Sequence, residues 1–224
     1  VNEDPVITSS ASADYSENST SVVIIVTSTD VDAGDTADYS ISGTDVDEFS
    51  INNSSGELTF VSTPNYESPT DTDTDGNNTY IVDVTVTDSG LLTDTQTLTI
   101  TVTDENDAPV ITSPASASYA ENSTSSVTTV TSTDEDNNTV SYTITGGADA
   151  AGFSISSGVL TFVSTPNYEI PDDDDTNNEY NIIVTATDNG SGLLTDTQTL
   201  TITVTDVNED PVITSSASAD YSEN

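Results

Sequence analysis

Lys, Arg, His, Cys, Met and Trp are missing altogether from the 224 residues. Each absence closes a class of chemistry. Without Lys or Arg no side-chain salt bridge forms, and nucleic acid is excluded as a partner, because phosphate recognition runs on those two residues. Anionic membrane surfaces are disfavoured for the same reason. Without His or Cys, ordinary zinc sites and a Ser-His-Asp triad cannot be built. No disulfide forms, so cysteine usage says nothing about compartment, and no Lys-to-Asn isopeptide bond can staple a domain. Apolar residues are scarce as well, at 32% against roughly 45–50% in ordinary domains. No apolar run approaches the length of a membrane span, so membrane insertion by this segment is not expected. There is no signal-peptide pattern, and position 1 is Val rather than Met, which reads as a piece of a longer chain.

What is present is acid. Forty Asp and Glu residues give a formal charge of −40. Low hydrophobicity with high net charge is a signature of disorder, and self-repulsion opposes compaction. The alternative is an outside cation. Carboxylate, amide and carbonyl oxygens are the donors that hard divalent ions take, so Ca²⁺ is the expected cofactor.

Internal repetition decides between these readings. PVITSSASADYSEN from Pro5 recurs as PVITSPASASYAEN from Pro109, LTFVSTPNYE recurs from Leu58 and Leu160, and LLTDTQTLTITVTD from Leu91 and Leu193. Asp104 and Asp206 end equivalent stretches 102 residues apart, the size of one immunoglobulin-like sandwich. Residues 1–18 and 207–224 are identical, a second period of two repeats. The expected organisation is therefore a window on a longer array. Repeat 1 occupies 1–103, repeat 2 occupies 104–205, and 206–224 holds a linker and the first strand of a further repeat, with donation of that strand to a neighbouring chain as a minor alternative.

The periodicity is that of strands. Thr97 to Thr103 alternates, with Leu98, Ile100 and Val102 facing in and four Thr facing out; Val82, Val84 and Val86 repeat the pattern. Val22 to Val26 is continuously apolar and reads as a well-covered strand. Shorter alternating runs lie at Tyr39–Ile41, Phe49–Ile51 and Leu58–Phe60, punctuated by glycine turns at Gly34, Gly43, Gly56, Gly76 and Gly90. Thr and Val richness suits this assignment. The predicted fold class is all-β: tandem immunoglobulin-like antiparallel β-sandwiches of about seven strands each, end to end.

The acidic residues fall into ordered motifs. Asp104-Glu105-Asn106-Asp107-Ala108-Pro109 resembles the linker between cadherin domains, DxNDxxP in pattern, with the proline one residue early. Glu17-Asn18 and Glu121-Asn122 resemble the first-strand Glu motif of that family. Asp30-Val31-Asp32 and Asp134-Glu135-Asp136 resemble its DxD motif. Asn65-Tyr66-Glu67 and Asn167-Tyr168-Glu169 resemble its Asp-x-Glu motif. Asp88-Ser89-Gly90 and Asp188-Asn189-Gly190 resemble its DxG motif. Five weak motifs in the family's order, twice, make a cadherin-like tandem repeat of bacterial extracellular type.

The resemblance implies Ca²⁺ at the junctions, where no single loop supplies enough of the six to eight oxygens that each ion takes. At the central junction it implies Glu17 and Glu67 from the first repeat, Asp104, Glu105 (through its carbonyl), Asn106 and Asp107 from the linker, and Asp134, Asp136 and Asp188 from the second. Asp30, Asp32 and Asp88, with linker residues Asn2 and Asp4, would serve the junction before repeat 1. Glu121, Glu169, Asp206, Asn208 and Glu209 would serve the one after repeat 2. Two departures bear on affinity. Asn65 and Asn167 stand where the family has Asp, which weakens the outermost ion, and Glu209 takes the place of Asp107.

Other features have plainer readings. Asp71 to Gly76 resembles the start of an EF-hand loop but has Val82 at the twelfth position, so an exposed acidic loop is expected there and at Asp172–Asp175. Tyr15, Tyr66, Tyr119 and Tyr168 recur in register and are expected in core or domain-end packing. Sequons at Asn18, Asn52, Asn53, Asn77, Asn122, Asn137 and Asn189 are expected by chance in so Asn/Ser/Thr-rich a chain.

The functional expectation is a calcium-rigidified, non-enzymatic structural repeat of a stalk, fibre or adhesin arm, extracellular or at the cell surface. Its expected partners are further repeats of the same array, with like filaments and cell-surface glycans as additional candidates. The alternatives are a carbohydrate-binding module and a homophilic adhesion module. Swapping of a Trp-anchored first strand is ruled out by the absence of Trp. A glycosidase using paired carboxylates is disfavoured, because metal binding already accounts for the acids.

Overall fold

The computed structural model describes residues 1–32, 34–72, 77–218 and 220. The chain divides into two compact units, Val1–Asn106 and Asp107–Asn224.

Unit 1 holds β1 (Val6–Ile7), β2 (Ser12–Ser16), β3 (Ile24–Ile25), β4 (Ser28–Thr29), β5 (Asp38–Ser42), β6 (Phe49–Ile51), β7 (Glu57–Phe60), β8 (Thr79–Thr87) and β9 (Thr93–Thr103). Two pairs are halves of interrupted strands, β1 with β2 and β3 with β4, so the described residues of the unit make the seven strands expected of a sandwich. One layer is the sheet β2-β9-β8-β5; the other is built from β3-β7-β6 and β1-β4. All pairings are antiparallel except β2 with β9, which is parallel from Ser12↔Thr99 to Ser16↔Thr103. The first strand starts on one layer beside β4, crosses over, and continues in the same direction along the last strand. Parallel neighbours need a long connection, and nearly the whole repeat intervenes here.

Unit 2 repeats the plan with β10 (Val110–Ile111), β11 (Ser116–Ala120), β12 (Thr128–Thr129), β13 (Ser132–Thr133), β14 (Ser141–Gly146), β15 (Phe153–Ser156), β16 (Val159–Phe162), β17 (Glu179–Thr187) and β18 (Thr195–Thr205). Its four-stranded sheet is β11-β18-β17-β14, again with one parallel pair, β11–β18. From Asp206 to Ser218 the chain forms no strand. The identical sequence near the start forms β1 by pairing with β4.

Alternation places the core as expected: Val82, Val84, Val86, Leu98, Ile100 and Val102 are all buried. Each fully buried aliphatic side chain contributes about 1.5–3 kcal/mol. Aromatics close one end. Phe60 lies tilted against Phe49 and Tyr15 at 4.5 and 5.2 Å and meets Tyr80 edge-to-face at 5.3 Å. Phe162 does the same with Phe153, Tyr119 and Tyr180. The Tyr15 hydroxyl donates to the Ser19 and Ser21 carbonyls, so its polar tip is satisfied where the ring is buried. Tyr66 and Tyr168 differ from expectation: they are 37% and 39% exposed, and it is their backbone that is used.

The apolar run Val22–Val26 is also less covered than its composition suggests. Val26 is buried, but Val22 and Ile25 are 40% and 52% exposed. A strand that pairs for two residues, breaks and pairs again presents only part of itself to the core. The break is fixed by Gly56, which has φ +72° and donates its N–H to nothing but the Asn52 carbonyl while accepting the Val26 N–H; a Cβ there would lie 2.2 Å from the Val26 carbonyl oxygen. Only glycine tolerates both conditions.

Candidate metal centres

In unit 1 the chain turns out of β2 at Glu17-Asn18. Asn18 adopts φ 58°, a left-handed conformation that Asn tolerates better than most residues. This turn points Glu17 inward, where it is 2% exposed. Its two oxygens are held apart by two segments: Oε2 accepts the Tyr66 N–H at 2.7 Å and Oε1 accepts the Glu105 N–H at 2.9 Å. The carboxylate therefore ties the Asn65-Tyr66-Glu67 loop and the exit from β9 to the end of the first strand. Around it, Glu17, Glu67 and Asp104 each present an oxygen within 4.8 Å of the others.

Unit 2 builds the same end. Glu121, 2% exposed, accepts the Tyr168 N–H at 2.7 Å and the Val207 N–H at 2.8 Å, and groups with Glu169 and Asp206. The two backbone donors, Tyr168 first and Val207 second, hold the Glu121 carboxyl below its ordinary value. Glu169 goes the other way. Its own backbone N–H lowers it, but burial and the charges of Glu121, Glu209 and Asp206 together leave it raised. An anchored carboxylate beside a crowded one is a site whose negative charge exceeds what its protein donors compensate.

The opposite end of unit 1 gathers Asp30, Asp35 and Asp88. Asp88 is 5% exposed; its Oδ1 accepts the Leu92 N–H at 2.8 Å and its Oδ2 accepts from Asn2 Nδ2 at 2.7 Å. Gly90 lies against the Asn2 side chain, whose amide would have to move to admit a Cβ 2.4 Å from Nδ2. Asp32 is not part of the triad. Its Oδ2 accepts the Glu3 N–H at 2.8 Å, and its own N–H donates to Asp30 Oδ1 at 2.7 Å. The Glu3 carboxyl is raised, chiefly by the charge of Asp32. In unit 2, Asp136 Oδ2 accepts the Asp107 N–H at 2.6 Å, Asp134 Oδ1 accepts the Asn138 N–H at 3.0 Å, and Asp188, 3% exposed, caps the Gly190 and Leu194 N–H groups. Among the described residues of unit 2, Asp134, Asp136 and Asp188 are not themselves drawn into a triad.

A family model for the cadherin domain matches twice, at residues 11–103 and 115–205. The chain belongs to the cadherin family. No curated protein matches it in sequence. Among solved structures, the human protocadherin-24 EC1-2 fragment is similar at TM-score 0.57 and 22% identity, covering 92% of this chain and 100% of that one. Drosophila N-cadherin EC1-4 is similar at TM-score 0.54 and 23% identity, with 92% of this chain covered and 50% of that one, so the chain spans half the length of that relative. At these identities the likeness shows the fold.

Cadherin domains characteristically bind Ca²⁺, and the acidic groups here suit it. Two ligands of one Ca²⁺, each about 2.3–2.6 Å from it, stand at most about 5 Å apart, and the triads meet that limit. The donors are all hard oxygens. Asp30 Oδ2, Asp35 Oδ2 and Asp134 Oδ2 are buried without a hydrogen-bond partner, a costly state for a carboxylate that a cation would relieve. Asn65 and Asn167 spend their carbonyl oxygens on the Ser68 and Ile170 N–H groups, which fits their reading as weaker substitutes for Asp. Glu209 accepts from Asn122 Nδ2 at 2.6 Å. Asn2 is a clamp on Asp88, while Asp4 and Asn208 lie exposed outside the triads.

One cadherin-end residue escaped the motif reading. Asp35 stands five positions after Asp30, outside the DxD pattern; the only sequence signal is the further acid in Asp30-Val31-Asp32-Ala33-Gly34-Asp35. The acidic loops also depart from expectation. Asp71 and Asp173 are 4% and 5% exposed rather than solvated. Asp173 accepts the Asn177 and Asn178 N–H groups, so the loop folds back around it. Asp73 to Gly76 lie outside the described residues. The sequon Asn residues 18, 52, 53, 77, 122, 137 and 189 are all exposed. No helix among the described residues is long and apolar enough to cross a membrane.

Proposed function

We propose that this cadherin pair is an extracellular, non-enzymatic structural module of a stalk, fibre or adhesin arm, stiffened by Ca²⁺ where successive repeats join. The supporting observation is the duplicated Glu17 and Glu121 anchor, which fixes two segments at the end of each unit and places a buried carboxylate beside two further acids. Glu17, Glu67, Asp104, Glu105 and Asn106 would act with Asp107, Asp134, Asp136 and Asp188 in the central Ca²⁺ cage. The residues at the two ends would act with the repeats on either side, which are the module's principal partners.

The chain's charge of −40 gives the cation a second role. Without it the repeats repel one another, at a range of about 8–10 Å in about 0.1–0.15 M salt. The test is the spread of end-to-end lengths seen by electron microscopy of arrays of this sequence, before and after a Ca²⁺ chelator at fixed ionic strength. Chelation should broaden and shorten the distribution. An unchanged persistence length would sink the proposal.

A further inference from the structure

The loop before β8 in unit 1 and the loop before β17 in unit 2 hang on one frame, but the two repeats fill it differently. Asp45 accepts the Thr72 and Ile81 N–H groups at 2.8 and 2.6 Å, and Asp149 accepts the Asp174 and Asn181 N–H groups at 2.8 and 2.7 Å. The Glu48 and Gly152 carbonyls accept the Val61 and Val163 N–H groups, both at 2.8 Å. The Ser68 and Ile170 N–H groups donate to Asn65 and Asn167, and the Thr70 and Asp172 N–H groups to the Tyr80 and Tyr180 hydroxyls. These shared bonds pair the positions of the two units one by one. Asp47 and Glu48 of unit 1 become Ala151 and Gly152 in unit 2, while Ser68, Thr70 and Thr72 become Ile170, Asp172 and Asp174. One side loses bulk and charge; the other gains an aliphatic side chain and two acids.

Between these two sides unit 2 has an open groove of about 690 Å³. Phe162 and the buried Tyr180 line it, edge to face at 5.1 Å. Val163 and Ile170 also line it and are 64% and 76% exposed. A Cβ built on Gly152 would meet nothing within 4 Å, so space is open where unit 1 carries the Glu48 side chain. Asp149, Asp172 and Asp174 border the same groove, the last two exposed. Burial raises the Tyr180 hydroxyl above its ordinary value; the Asp172 N–H lowers it, and the charges of Asp173, Asp172 and Asp149 add to the rise. The chain has no Lys, Arg or His to answer those charges. An exposed apolar surface rimmed by polar groups is the usual mark of a protein-interaction site.

We propose that this groove docks a cationic, apolar segment of another protein, one in which an aliphatic side chain stands beside Lys or Arg. The aliphatic group seats between Val163 and Ile170 against Phe162, and the neighbouring cation meets Asp172 and Asp174. Lys and Arg suit such a place twice over, since their stems cover apolar surface while their heads reach the acids. A second copy of this chain does not match, because it brings a charge of −40 and neither Lys nor Arg. Apolar burial supplies the affinity, and the complementary charges steer the encounter and reject anionic competitors. This partner is independent of Ca²⁺ stiffening, because none of the groove residues belongs to the acidic groups at the ends of the units.

Fluorescence anisotropy with two labelled synthetic peptides tests this on the full chain, in saturating Ca²⁺ at physiological ionic strength. One peptide alternates Lys with Leu; the other has Ser in place of each Leu and the same charge. The Leu peptide should bind the wild type about tenfold tighter or more, the effect of burying one aliphatic side chain. Ile170→Ser/Asp172→Thr/Asp174→Thr, which installs the residues of unit 1, should erase that difference. Asp14→Thr/Glu179→Thr removes as much charge from exposed strand positions and should preserve it. Equal binding of the two peptides by the wild type overturns the proposal, as does a preference that survives in the triple variant. Self-association of the chain that the triple variant loses, without any preference between peptides, would put a second copy in the groove and also overturns it. If the triple variant fails to fold, Gly152→Glu decides: it leaves the loop intact and adds a negative charge, yet should weaken the Leu peptide by filling the groove, and undiminished binding overturns the proposal.

Discussion

Glu17→Ala separates what the buried carboxylate does for the fold from what it does for the metal. In the metal-free chain, Glu17 accepts one N–H from each of two segments that no regular strand pairing holds together. Hydrogen bonds to a charged group contribute about 1.5–3 kcal/mol each, less where water can replace the lost partner. Tyr66 and Glu105 are themselves exposed, so water will reach part of the vacated space and the expected loss is about 2–4 kcal/mol. For a domain of roughly 100 residues this lowers the melting temperature of unit 1 by roughly 10–25 °C. The assay is denaturant unfolding of the full chain in a chelator, followed by circular dichroism and tyrosine fluorescence because there is no Trp. Saturating Ca²⁺ should widen the gap between wild type and variant, since the variant also lacks a ligand. A loss under about 0.5 kcal/mol in the chelator would refute the anchoring argument, and an identical gap with and without Ca²⁺ would refute the metal assignment.

Asp35→Asn should act in opposite directions on the two states. Removing one charge from the Asp30, Asp35 and Asp88 group should leave the metal-free chain as stable or slightly more so, and should weaken Ca²⁺ at that end about tenfold, or ~1.4 kcal/mol; calorimetric titration beside melts in chelator checks both, and an unaltered affinity would remove Asp35 from the site. In the metal-free chain, stability against pH should rise and then fall as acid is added. Glu169, whose carboxyl is raised in the folded chain, protonates first and relieves repulsion, while Glu121, whose carboxyl is lowered, contributes stability above its unfolded value that is lost once the pH falls through its folded value. Denaturant midpoints across the acid range should therefore peak near the ordinary Glu value, and a fall that begins at neutral pH and never reverses would contradict the assignment.

Strand faces were legible wherever side chains alternated in polarity. Leu98, Ile100 and Val102 went in and their Thr neighbours out because period-two burial is a local property. The pattern lapses at Asp94 and Gln96, yet β9 runs on from Thr93, since both residues occupy inward positions and reach the first strand, Asp94 Oδ2 accepting the Ile7 N–H and Gln96 Nε2 donating to the Ser9 carbonyl. Alternation carries no information about pairing direction, so the parallel β2–β9 pair could not be read. Val22–Val26 misled because apolar content says nothing of where a strand is interrupted. Glu17 and Glu121 were found from motif order, but their depth of burial follows from the turn at Asn18 and Asn122. Asp71 and Asp173 were misjudged as solvated because charge in a loop usually is, and the way the Asn177 and Asn178 N–H groups fold back onto Asp173 leaves no periodic trace.

The parallel pairing of first and last strands sets how a unit meets tension. The chain enters β2 at Ser12 and leaves β9 at Thr103, and these strands run side by side through five register pairs. A pull on the two ends drives the strands in opposite directions along their common axis. The hydrogen bonds are then loaded together in shear, whereas an antiparallel hairpin pulled from its open end would unzip one rung at a time. Rupture under load is governed by the unfolding rate rather than by equilibrium stability. Such a sandwich can thus be a strong link whatever its equilibrium stability, with its resistance concentrated in the short strand that joins its two layers.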